Sequence, residues 1–230
     1  MVKGIQVAID GPASAGKSTV AKLVAKRFGY IYCDTGAMYR SVTLAALERG
    51  IDLSQDDLVS ELANQITITF APGDPQKVFI DGHEVTQAIR STEVAQHVST
   101  VAAIPAVRSR MVELQRQIAQ EGGIVMDGRD IGTTVLPAAP VKIFMVASAH
   151  ERARRRFLDN QERGIDGGSI EELQRAIELR DQKDSTRAVS PLVKAADAYQ
   201  LDTTHLTIEQ VVDQIAGRIE KTLEQNIVKD

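Results

Sequence analysis

The sequence predicts a three-layer α/β fold around a central parallel sheet of five strands, and two observations predict it. Five short apolar runs alternate with amphipathic helical patterns along the 230 residues, and the first run leads into a glycine-rich loop that opens a helix. With 43% hydrophobic residues the chain can bury one sizeable core and carry a small insertion, whereas two full domains would be crowded.

The expected strands are Ile5 to Ile9, Tyr30 to Cys33, Ile124 to Met126, Val141 to Val146 and Tyr199 to Leu201. Most are apolar without alternation, as strands covered on both faces are. Between them lie helical patterns over Ser18 to Phe28, Ala37 to Arg49, Val107 to Gln120, His150 to Glu162, Ser169 to Asp184 and Ile208 to Glu224. Ligands of such sheets bind outside the carboxyl ends of the strands, which directs attention to the residues just past each one. One segment breaks the alternation. Ile66 to Phe70 and Lys77 to Ile80 flank Ala71 to Pro75, and the turn pair Asp81-Gly82 precedes His83-Glu84-Val85, so residues 63–86 read as a small antiparallel insertion. Gln161 to Gly168 is the expected mobile loop.

Composition excludes several classes of function. No apolar run approaches the roughly 18 residues of a membrane span, and Met1 to Gly4 leads straight into a strand, so the expected location is the cytoplasm, without a membrane partner. Cys33 is the single cysteine and has apolar neighbours, which makes it a packed thiol. A net charge of −4 gives no nucleic-acid footprint, and four dispersed histidines have no metal spacing. Any polyanion site must therefore be a local cluster of arginines. With no uncovered apolar stripe, a monomer is expected.

The strongest motif is Gly11-Pro12-Ala13-Ser14-Ala15-Gly16-Lys17-Ser18, which fits G-x-x-x-x-G-K-[ST] between a strand and a helix and makes the fold P-loop NTPase-type. Its glycines let successive N–H groups face a phosphate chain, and the helix N-terminus adds partial positive charge. Lys17 is expected to reach the β- and γ-phosphates, and the Ser18 hydroxyl to help hold Mg²⁺. The D-x-x-G and N-K-x-D patterns of GTPases occur nowhere in the chain, which leaves a small phosphotransferase. After the second strand comes Asp34-Thr35-Gly36-Ala37-Met38-Tyr39-Arg40, and after the third Asp127-Gly128-Arg129-Asp130. Asp and Thr at helix starts suit capping as well as binding, but two strand-end arginines suit a monophosphate. At 100° per residue Arg180, Asp184 and Arg187 share one helical face within about 40°, as a solvated ion-paired face would too. Arg152, Arg155 and Arg156 form another stripe, placed where a lid would carry cations to a transferring phosphoryl group.

The stretches "IDGPASAGKST", "DTGAMYR", "IRSTEVAQHVSTVAAIPAVR", "DGRDIGT", "APVKIF", "RDQKDSTRAVSPL" and "ADAYQLDTTHLTIEQV" together resemble the bacterial cytidylate kinase family, to about residue 215. The resemblance implies transfer of the ATP γ-phosphate to CMP or dCMP. It also implies a core over 1–36, 87–148 and 166–230, a monophosphate-binding region over 37–86 and a lid over 149–165. Gly11, Pro12, Ala13, Ser14, Ala15, Gly16, Lys17, Ser18 and Thr19 would bind ATP, with Lys17, Arg129, Arg152 and Arg156 catalytic. By the same resemblance Thr35, Arg40, Arg129 and Arg187 contact the acceptor phosphate, Arg180 and Asp184 the ribose end, and Ser99, Arg108 and Asp130 the cytosine. A carboxylate suits the exocyclic amine of cytosine, which uracil lacks. Ser18 and Asp127 are the expected Mg²⁺ contacts, Asp127 through water, and Asp34 is a rival for that role.

Overall fold

The computed structural model describes residues 4–71, 73, 76–162, 164 and 167–227. The chain divides into two compact units, one of residues 1–33 and 118–230, the other of Asp34–Gln117.

The first unit holds the five-stranded sheet in the order β2-β6-β1-β7-β8. Its strands are β1 (Gln6–Asp10), β2 (Ile31–Asp34, whose last residue opens the other unit), β6 (Ile124–Gly128), β7 (Val141–Val146) and β8 (Tyr199–Asp202). β1 pairs in parallel with β6 and with β7, and β7 with β8. Register pairs Ile9 with Asp127 and with Ile143, so the carboxyl ends of the three central strands come level. Val7 and Ile9 pack with Val20 and Val24 of α1 (Lys17–Phe28) and with Ile215 and Ile219 of α8 (Ile208–Ile227). Ala8 and Met126, which the period of two turns to the other face, are equally buried, so both faces are covered as the apolar runs predict. Helix α1 ends where Gly29 enters the left-handed region at φ 65°, with Lys26 and Arg27 in the last turn to complement the helix dipole. The segment expected as the lid forms α6 over Ala149–Glu162, and α7 (Ile170–Thr186) follows it; of the expected mobile loop, residues 163, 165 and 166 lie outside the described residues. Two positions of that set, 163 and 165, also belong to the expected lid.

The second unit is built on α2 (Thr35–Glu48), with α3 (Asp56–Gln65), α4 (Thr92–Val101) and most of α5 (Pro105–Ala119). The predicted insertion forms an antiparallel sheet of β3 (Ile68–Ala71), β4 (Lys77–Ile80) and β5 (His83–Glu84), with Phe70 opposite Val78. Pro72, Asp74 and Pro75 of its connection lie outside the described residues. Two features differ from expectation. Helices α3 and α4 were not predicted, because each is only ten residues long with a narrow apolar stripe. Residues 87–117, expected in the core, and Asp34 to Gly36 fall in the second unit instead. The reason is packing: Val94, Val98 and Val101 of α4 and Val107 and Met111 of α5 share one buried cluster with Met38 and Val42 of α2.

Candidate active site

The phosphate loop leaves β1 through Gly11, whose φ of 150° and close approach to the Met145 carbonyl leave no room for a Cβ. At its far end Gly16 adopts φ 85° as the residue before α1. Ser14 sits between them at φ 58°, a left-handed conformation that costs a non-glycine residue about 1–2 kcal/mol. Lys17 is buried, and its ammonium arches back to donate to the Pro12 carbonyl at 2.7 Å. Burial, then the Arg129 charge, pushes the Lys17 pKa down to about 7 against the pull of Asp127 and Asp10; Arg180 adds to the repulsion. Ser18 Oγ donates to Asp127 Oδ2 at 2.8 Å, and the Tyr32 hydroxyl donates to Oδ1 of the same carboxylate at 2.8 Å. Thr19, third residue of α1, is exposed.

Past β6 the chain makes a π-helical turn, Ile131–Val135, that the carboxylate of Asp10 anchors. Asp10 Oδ1 accepts from the Ile131 N–H at 2.8 Å and Oδ2 from the Gly132 N–H at 2.7 Å. Burial raises the Asp10 pKa to about 6 in spite of these two donors, with the Asp130 charge adding and Lys17 opposing. The turn sets Arg129 and Asp130 side by side. Arg129 Nε donates to Asp184 Oδ2 at 2.9 Å, so the proposed ribose carboxylate holds a proposed phosphate arginine. Burial pushes Asp184 up, but the charges of Arg129 and Arg180 and the Arg129 hydrogen bond hold it below the usual carboxylate range. Arg187 Nη2 lies 3.6 Å from Asp130 Oδ1.

The predicted helical face of Arg180, Asp184 and Arg187 is corrected here. Helix α7 ends at Thr186, and Arg187 is already extended at φ −64°, ψ 143°, with its Nε donating to the Ser190 carbonyl at 2.6 Å. The stripe of Arg152, Arg155 and Arg156 also separates. Arg152 is buried, donating from Nη1 to the Ala13 carbonyl at 3.0 Å and to Asp181, and from Nε to the Ala147 carbonyl at 3.0 Å. Arg155 donates to Glu151 at 2.9 Å and to the Thr203 carbonyl at 2.6 Å, and its Nη1 lies beside Gly16 of the phosphate loop. Arg156 is exposed, with Nη1 3.7 Å from Asp159 Oδ2.

In the second unit Asp34 caps α2 by accepting from the Ala37 N–H at 2.9 Å, and Thr35 is buried as the first residue of that helix. Arg40 donates to Asp34 Oδ2 at 2.7 Å, and Arg90 lies 3.8 Å from the same oxygen. Burial raises Asp34, yet the two arginine charges and the Ala37 N–H outweigh it and keep the carboxylate ionised. Arg108 is buried with its guanidinium 5.3 Å from the centre of the Tyr39 ring, and Nη1 donates to the Ala102 carbonyl at 3.1 Å. Ser99 is half-buried on α4. Sequence reasoning missed Asp10, Tyr32, Arg90 and Asp181 as parts of these networks; Asp181, next to Arg180, and Asp10, ending a strand before the glycine loop, carried a positional signal.

A family model described as Cytidylate kinase matches residues 7–221. A relative named cytidylate kinase from Limosilactobacillus fermentum is 99% identical over 225 residues, 98% of this chain and 100% of the relative. Another of that name from Limosilactobacillus reuteri is 67% identical over 226 residues, 98% of this chain and 99% of the relative. Among solved structures, a gluconokinase from Sinorhizobium meliloti 1021 has a TM-score of 0.51 at 13% identity, covering 100% of this chain and 98% of its own, a likeness of fold alone.

Proposed function

The chain belongs to the cytidylate kinase family, and on that premise we propose that it transfers the γ-phosphate of ATP to CMP or dCMP, giving CDP or dCDP and ADP. The observation that carries the reading is the buried Lys17 at the head of α1, turned back over the phosphate loop to the Pro12 carbonyl, with Arg152 on the loop's Ala13 carbonyl; burial first, and the Arg129 charge next, depress the Lys17 pKa, and a bound polyphosphate would favour its charged form.

The reaction passes through a loose transition state, so the protein's work is alignment and charge stabilisation. Gly11 to Thr19 form the ATP site, in which the N–H groups from Ser14 onward and the N-terminus of α1 receive the phosphates and Lys17 reaches the transferring group. Thr35, Arg40, Arg129 and Arg187 take the acceptor phosphate, and Arg180 and Asp184 the ribose end. Ser99, Arg108 and Asp130 read cytosine, with Asp130 accepting from its exocyclic amine. When bound with ATP, Mg²⁺ would supply charge neutralisation at the phosphates. Ser18 and Asp127 would hold it: two oxygen donors in mutual contact fit a cation that takes few protein ligands and keeps its waters. Asp34, committed to Arg40 and Arg90, suits the phosphate side rather than the metal. Arg152 is supported as a partner of the loop, and Arg156 gains no support. No helix of the described residues is long and apolar enough to cross a membrane, and we place the enzyme in the cytoplasm as a monomer.

Release of ADP, followed with CMP, dCMP, UMP, AMP and shikimate in turn, tests the assignment. CMP and dCMP should drive turnover far above the other three, and no acceptor-dependent ADP would overturn the kinase reading.

A further inference from the structure

The backbone of Ala13 is held at both its N–H and its carbonyl by one ion pair. Its N–H donates to Asp181 Oδ1 at 3.1 Å, and its carbonyl accepts from Arg152 Nη1 at 3.0 Å; the same Nη1 also donates to Asp181 Oδ2. Arg152 comes from α6 and Asp181 from α7, 139 and 168 residues along the chain from the loop they close on. The next residue, Ser14, has the left-handed φ of 58°, so the clasped backbone leads directly into the strained turn of the loop. A strained backbone persists only where its surroundings over-determine it.

We propose that Arg152 and Asp181 are a positioning pair that locks the Ala13–Ser14 turn of the phosphate loop in its nucleotide-ready shape, so that ATP affinity depends on α6 and α7. Arg152 on this view acts through the loop, and Asp181 is as necessary as Arg152. The inference rests on ATP as the ligand of the loop, the reading given above, and deepens it. Without Asp181 the Ala13 N–H loses a charged acceptor and Arg152 loses its anchor. The turn is then free to relax, and the nucleotide must restore it on binding.

The test measures binding of ATP·Mg²⁺ by calorimetry with no acceptor present, together with hydrogen exchange at the Ala13 and Ser14 amides of the nucleotide-free protein. Hydrogen bonds to charged groups are worth enough that Asp181→Ala should weaken ATP about 10–100-fold, with faster exchange at Ala13 and Ser14. Arg152→Ala should cost a similar factor, and the double variant no more than either alone, since the two side chains are bonded to each other and act together on the backbone of Ala13. Losses that multiply in the double variant would overturn the pairing. Wild-type ATP affinity and wild-type exchange in Asp181→Ala would overturn the clasp. Should Asp181→Ala show no cooperative melting, Asp181→Asn reads the same quantities: it keeps an oxygen for the Ala13 N–H but loses the ion pair, and should weaken ATP by a smaller factor, unchanged affinity counting against the proposal. ATP binding is read without turnover, so failure to phosphorylate CMP would sink the kinase assignment while leaving the clasp to be judged on its own result.

Discussion

Asp10 shows what a single buried carboxylate does when its two oxygens are spent on successive backbone N–H groups. It fixes the turn that presents Arg129 and Asp130, at the cost of keeping a charge in a dry site, and its folded pKa of about 6 lies above the ordinary 3.8. The folded protein therefore holds that proton more tightly than the unfolded chain. This group's contribution favours folding most below pH about 4 and is lost as pH rises through 6. The unfolding free energy of the native protein relative to Asp10→Asn should fall on the order of 2–3 kcal/mol between pH 4 and 7 in urea titrations. A difference independent of pH would mean that burial does not set the Asp10 pKa. Asp130 is the residue on which base choice turns. Asp130→Ala should lower the CMP-to-UMP ratio of kcat/KM by at least about tenfold, the value of one good polar discrimination, while ATP affinity stays near native. An unchanged ratio would move the base contact elsewhere.

At the scale of elements, α7 is the helix on which most of the charged network depends, since it carries Arg180, Asp181 and Asp184. Its N-terminus is secured by a capping box: Ser169 Oγ accepts from the Glu172 N–H at 3.2 Å, and Glu172 Oε2 accepts from the Ser169 N–H at 2.8 Å. Ser169→Ala should cost about 1 kcal/mol of stability, read as a lower urea midpoint with an unchanged slope. A loss below a few tenths would show that packing against α6 alone holds the start of the helix. The other end explains why the helical-face reading of Arg187 failed. A wheel drawn from the sequence continues until something breaks it, and nothing in Asp184-Ser185-Thr186-Arg187 is a strong breaker. The chain leaves the helix there while Leu192 N–H donates to the Asp184 carbonyl at 2.8 Å, a return that only the folded loop supplies. Helix α2 is the opposite case: Asp34 before an apolar helical run is a local capping signal, and it caps as such signals do.

For the whole molecule, ligand binding and stability are linked. ATP·Mg²⁺ at about 100 times its Kd should stabilise the protein by about 2.7 kcal/mol, a rise of roughly 5–10 °C in melting temperature for a chain of this size. Lys17→Ala should lose most of that rise while melting near the native temperature in the absence of nucleotide. A full shift in the variant would remove Lys17 from the phosphate contacts.

The alternation of strands and helices, the phosphate loop and the antiparallel insertion were legible in the sequence because each is encoded within a few residues: apolar runs of strand length, glycines at fixed spacing, a turn pair between two strands. The family, and with it cytosine, was legible only through long matching stretches, since no spacing distinguishes one base from another. What the tertiary structure decided is partnership. Asp10 meets Ile131 across 121 residues, Arg129 meets Asp184 across 55, and Arg152 meets Ala13 across 139. Local sequence sets which groups a segment offers, whereas long-range packing sets which charge each one faces. Two arginines of one helical stripe thus meet the phosphate loop, Arg152 at the Ala13 carbonyl and Arg155 beside Gly16, while Arg156 faces solvent, although the sequence presents them alike.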